Sequence, residues 1–267
     1  METPLNQRAS RRAPIAFLFL FVFMIVVPVG AYFITDLGRF QEIIAAHQSQ
    51  RALKGIADPK QMDEAPGRHP SNKILQLTAM ATKAANETSA AAETLSNEVV
   101  PPALSKNIDL AAANRSDLEA LRRDLKTAEA NAATVMPRYI ALLKAERDKV
   151  ETYAVSLSLE KDTARRFLDG VDQQHAKITD LTSRMLSARA DYYRAYESYV
   201  AVLAAEFGAY KVVDGQFIFP LQRTVDRYHV AAHALTVAAN RVAELEEERK
   251  TLVQSQQVGW EQLVDGK

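Results

Sequence analysis

No cysteine occurs among these 267 residues. That excludes disulfides, thiolate metal sites, a cysteine nucleophile and the lipidated cysteine of a bacterial lipoprotein. Glycine (9) and proline (10) are scarce. Between Leu104 and Phe207 only Pro137 and Gly170 interrupt the chain. Alanine supplies about one residue in six, and Leu, Glu, Lys, Arg and Gln are abundant, so strong helix formers dominate. The class expected is all-α. Net charge is missing as well, with 33 Lys plus Arg against 33 Asp plus Glu. Without a basic excess there is no electrostatic footing for nucleic acid. The sequence has no Gly-x-Ser-x-Gly elbow, no glycine-rich phosphate loop and no His-Glu-x-x-His pair. Neither an enzyme nor a cofactor is expected.

Long apolar runs are absent too, except for one. From Ala13 to Thr35 no residue is charged and most are large and apolar. A helix of roughly twenty apolar residues crosses a bilayer core. Arg8, Arg11 and Arg12 precede the run, which by the positive-inside tendency keeps the N-terminus cytoplasmic. The alternative is a cleaved signal peptide. Its apolar core would be Ile15 to Val27, closed by Pro28, with small residues for the peptidase in Val29-Gly30-Ala31. The run continues through Tyr32, Phe33 and Ile34, which favours a retained anchor with an interfacial tyrosine. Either reading exports the remainder, whose 30 basic and 32 acidic residues leave a net charge near −2.

The expected organisation is a cytoplasmic tail at 1–12, a membrane helix at 13–35, a juxtamembrane helix and linker at 36–70, and an exported bundle at 71–267. Gly55 to Pro70 holds two glycines and three prolines and is the linker. Ser71 is the expected N-cap of a helix reaching Val99, with Ile74, Leu75, Leu77, Met80 and Ala84 inward; Pro101-Pro102 stops it. Leu118, Leu121, Leu125, Ala128, Ala132 and Val135 then step by three and four, and the seam resumes at Tyr139, Leu142, Val150, Tyr153 and Leu157. Pro137 should kink this helix or start a second one. Another helix, 161–207, carries Ile178, Leu181, Met185, Tyr192, Tyr196, Tyr199 and Leu203 inward and ends at Gly208. The last helix repeats the pattern with Leu221, Val225, Tyr228, Ala232, Leu235, Ala239 and Val242, and Trp260 and Leu263 prolong it less regularly.

One stretch breaks the helical rule. Residues 210–219 are aromatic and β-branched around Asp214-Gly215, a strong signal for a two-residue hairpin. Val212 should pair with Phe217, with Lys211 and Ile218 on the other face. Pro220 would then open the next helix at N1. The fold expected is a single membrane helix followed by an elongated antiparallel bundle with this one hairpin.

The hairpin surroundings resemble an exported bacterial family known as Domain of Unknown Function 3053. The shared features are Val212-Val213-Asp214-Gly215, then Phe219-Pro220 and Tyr228. The resemblance spans about residues 70–245 and implies an envelope location; it implies no activity and no catalytic residue.

Three clusters could carry chemistry. Asp226, His229 and His233 lie about one side of the last helix, and His at i and i+4 can share a metal, but the spacing is generic and the solvated surface of a helix is the expected reading. Tyr192, Tyr193, Tyr196 and Tyr199 could stack on a glycan or fill a bundle end. The run Glu244, Glu246, Glu247, Glu248, Arg249 and Lys250 is expected on a solvated face. The functional expectation is a non-enzymatic scaffold or interaction protein at the bacterial inner membrane, bilayer-held through 13–35, with its C-terminal domain in the periplasm and an envelope protein as partner. Tyr192, Tyr196, Tyr199, Lys211, Phe217 and Ile218 are its candidate contact residues. A small-molecule or glycan-sensing bundle is the alternative.

Overall fold

The computed structural model describes residues 65–100 and 108–265. The tail at 1–12, the apolar run at 13–35, the juxtamembrane helix, most of the linker and the Pro101-Pro102 stop lie outside the described residues. So do the side chains of Trp260 and Leu263. Among the described residues no helix is long and apolar enough to cross a membrane.

The chain runs through α1 (Ala65–Arg68), α2 (Lys73–Val99), α3 (Arg115–Ser156), α4 (Lys161–Ala205), β1 (Lys211–Val213), β2 (Gln216–Ile218) and α5 (Gln222–Asp265). The one-turn α1 falls where a linker was expected. The cap of α2 is Asn72, not Ser71: its side-chain oxygen accepts from the Leu75 N–H at 3.0 Å, satisfying a donor that the first turn leaves open. Asn114 caps α3 in the same way. Its Oδ1 accepts from the Asp117 N–H at 3.0 Å, and Asp117 Oδ2 accepts from the Asn114 N–H at 3.1 Å. This reciprocal box fixes where the 42-residue helix begins.

Pro137 does not divide α3, which runs unbroken through it. Pro137 and Ala133 both lie on the exposed side, so the carbonyl that proline deprives of its partner faces water. α4 stops at Ala205, two residues earlier than expected, and the chain turns through Gly208 at φ +86. Pro220 is not at N1; α5 starts two residues later, with Leu221 accepting the first helical hydrogen bonds from Thr224 and Val225.

Neighbouring helices pack in chain order, α2 on α3, α3 on α4 and α4 on α5. Ion pairs show the antiparallel register of α3 and α4: Arg122 with Glu197 at 2.9 Å, Glu129 with Arg194 at 2.8 Å, and Arg147 with Asp172 at 3.2 Å. Residue numbers rise on one helix as they fall on the other. Solvent-accessible pairs of this kind contribute about 0–1 kcal/mol each; the seam beneath them does most of the holding. Leu118, Leu121, Leu125 and Ala128 are 0–1 % exposed, as the stepping requires. After Tyr139 the inward position is Leu143, not Leu142, followed by Glu146, Val150 and Ala154. A helix at 3.6 residues per turn drifts by about 20° per heptad against a strict seven-residue repeat. Over a helix of this length the seam must step sideways.

The hairpin has the expected register, with Val212 opposite Phe217 and Lys211 opposite Ile218. Its turn residues Asp214 and Gly215 sit at φ 50 and φ 72, the conformation that a two-residue turn demands. Lys73 Nζ donates to the Ser158 carbonyl at 3.2 Å, so α2 begins beside the α3–α4 turn. The hairpin lies at the other end of α4, whose 45 residues span about 67 Å at 1.5 Å per residue.

Candidate functional site

The far end of the bundle gathers five of the ten large hydrophobic side chains that are exposed among the described residues. Phe207 (40 %), Val212 (38 %), Val213 (52 %), Ile218 (51 %) and Leu221 (46 %) are exposed in or beside the hairpin. Beneath them sits a cluster of rings. Tyr210 meets Phe217 edge-on at 5.1 Å and Phe219 at 5.7 Å, and Tyr228 lies 5.1 Å from Phe219 and 5.2 Å from Tyr199. The Tyr199 and Tyr228 hydroxyls share a hydrogen bond of 2.9 Å. Burial first, and this hydrogen bond second, raise the Tyr199 pKa. Two short strands alone are marginal in water; Tyr210 and the α5 residue Tyr228 pack on the hairpin's Phe217 and on Phe219, with Phe219 buried and Phe217 half-buried.

Of the expected contact residues, Lys211, Phe217 and Ile218 belong to this end, with Lys211 and Ile218 fully on the outer face. Tyr192 and Tyr196 do not join them. Both are buried, 6 % and 7 % exposed, and their rings lie 6.0 Å apart inside the seam. Tyr193 is buried more completely, at 1 %. Tyr199 is half-buried with its hydroxyl engaged. The tyrosine row is therefore core filling and not a continuous surface for a sugar to stack on.

Asp226, His229 and His233 are exposed on α5, and Asp226 accepts from Gln222 Nε2 at 2.9 Å. Among the described residues no three His, Asp or Glu side chains gather to hold a metal. An open groove of about 560 Å³ runs between α4 and α5 past Lys177, Asp180, Arg184, Glu248 and Ser255. Arg184 meets Asp180 at 2.9 Å and Glu248 at 2.6 Å, so the charges nearest the groove are matched to one another.

Buried ionisable groups were not legible beforehand. Glu246 belongs to the charge run expected on a solvated face, yet it is 4 % exposed and accepts from Arg249 Nε at 2.9 Å. Across from it Arg189 is buried in α4. Burial pushes the Arg189 guanidinium down to about 10, against the pull of Tyr193 and Glu246, which favour its charge. Glu146 on α3 and His175 on α4 form a second buried pair at 3.1 Å. Glu146 continues the observed inward stepping of Tyr139, Leu143, Val150 and Ala154.

Comparison with known proteins gives no matching family model, no similar curated protein and no similar solved structure. The resemblance to Domain of Unknown Function 3053 gains no support from them.

Proposed function

We propose that this chain is a single-pass, non-enzymatic protein of the bacterial inner membrane that holds a helical bundle in the periplasm and docks an envelope partner through the hairpin end. One observation carries this reading. The exposed apolar residues Phe207, Val212, Val213, Ile218 and Leu221 crowd one end of the bundle, about 67 Å along α4 from the end where the chain enters. Clustered apolar exposure at one place marks an interaction site more often than scattered apolar residues do. An anchor at 13–35 would put that surface at the far tip of the exported domain, in line with the envelope location that the family resemblance implies.

The double variant Lys211→Ala with Ile218→Glu, made in the full-length protein, tests the docking surface because it spares the turn and the buried rings. The expected result is an unchanged helical circular dichroism spectrum and melting temperature, with loss of the adduct that a photo-crosslinking residue at Val213 forms in cells. A variant that unfolds, or one that keeps its adduct, would make the hairpin a clasp between α4 and α5 and no more. Glycan sensing stands second, because the rings that would do the stacking cover one another.

A further inference from the structure

Among the described residues the buried apolar side chains fall into two clusters, and buried polar residues separate the two at the same level in three helices. On α2 the interruption falls at Thr88 and Ser89, between Ala85 and Ala92. On α3 it is Glu146, between Leu143 and Val150. On α4 it is Gln174 and His175, between Val171 and Leu181. Lys149 Nζ to Glu87 Oε2 at 2.9 Å aligns α2 with α3, and His175 Nε2 to Glu146 Oε1 at 3.1 Å aligns α3 with α4. Among the described residues only Ile178 packs against the apolar clusters on both sides.

The layer gives little adhesion of its own. The Glu146 side chain is 0 % exposed, its Oε2 has no hydrogen-bond partner, and neither amide atom of Gln174 has one. Buried polar atoms left unpaired cost free energy. The apolar clusters on the two sides are unequal. Among the described residues the entry-side cluster has ten buried members, four of them alanines, against twenty-five on the hairpin side. Local opening free energy follows buried apolar contact, so the smaller cluster is the weaker.

We propose that the polar layer is a cooperative boundary. The entry end of the bundle, made of the start of α2, the end of α3 and the start of α4, opens as one unit while the hairpin end stays folded. In a chain held from its N-terminal side, this unit unlatches first under strain, and the hairpin surface survives. The boundary concerns the bundle alone and does not depend on what the hairpin docks.

Hydrogen exchange followed by mass spectrometry on the full-length protein in detergent micelles tests it. Amides in 75–86, 150–156 and 163–172 should exchange as one group, at least tenfold less protected than those in 118–143 and 181–204. Leu77→Ala should lower protection of both groups by a similar factor, because full unfolding also opens the entry unit, whereas Leu125→Ala should lower that of the hairpin-side group alone. Gln174→Leu should raise entry-group protection at least threefold by joining the two clusters. Equal protection across both groups, a Leu125→Ala effect that spreads to the entry group, or an entry group left unchanged or weakened by Gln174→Leu would each overturn the boundary.

Discussion

Leu125 is 0 % exposed in the α3 seam, and truncating it removes apolar contact while leaving a cavity that its neighbours can only partly fill. Leu125→Ala should lower stability by about 2–5 kcal/mol, read from urea unfolding followed by circular dichroism. A loss below about 1 kcal/mol would mean that the seam is not the main source of cohesion. The tyrosines make a second residue-scale prediction. An unfolded tyrosine ionises near pH 10. Burial pushes Tyr196 up to about 12, and raises Tyr139, Tyr192, Tyr193 and Tyr199 as well. The folded state therefore keeps protons that the unfolded chain gives up. This contribution is complete below about pH 10 and is lost as pH rises through about 12. Arg189, pushed down to about 10, works in the opposite direction over the same range, one group against five. The urea midpoint should fall between pH 10 and 12, and Tyr196→Phe should make that fall shallower. A flat midpoint would contradict the burial of these rings.

At the scale of the element, α3 tolerates a proline that sequence reasoning takes for a break. Proline inside a helix costs on the order of 3 kcal/mol because it removes a donor and crowds the preceding turn. Pro137 is exposed, so Pro137→Ala restores the hydrogen bond without disturbing the seam. The expected gain is about 1–3 kcal/mol, allowing for the extra freedom of the unfolded chain. A loss of stability would show that the proline shapes the packing of α3 on its neighbours. The hairpin offers the opposite case, where a local signal was sufficient. Asp-Gly between β-branched and aromatic runs admits few other structures, and Gly215 sits at φ 72. Gly215→Ala should cost about 1 kcal/mol, visible as lost exchange protection at Val213 and Gln216 while the helical signal persists.

For the whole molecule, the absence of cysteine becomes an experimental advantage. Two cysteines introduced at Glu160 and Gln216 would be the only thiols in the chain. Both positions are exposed, at opposite ends of α4. Spin labels there should report about 65–75 Å, the length of α4 plus its turn at 1.5 Å per residue. A distribution centred below about 45 Å would rule out an extended α4.

Helix positions, the β-hairpin and most of the inward-facing residues were legible in the sequence because they rest on local causes. Backbone propensity, capping chemistry, turn dihedrals and a 3–4 repeat act within a few residues of one another. Leu118 to Tyr139 could be placed inward from spacing alone, and Val212 opposite Phe217 from the turn alone. Tertiary packing decided the rest. Whether Leu142 or Leu143 faces inward depends on how far a straight helix has drifted against its neighbour, and that choice carries Glu146 into the core. Glu246 is buried near Arg189, fifty-seven residues away in the chain, where α5 packs on α4. Tyr192 and Tyr196 became core, while Phe217 and Ile218 came to the tip, because the packing of α4 between α3 and α5 leaves its tyrosine row no free face. Periodicity tells which residues share a face; only the neighbouring helices determine how wide that face is and which polar groups are trapped within it.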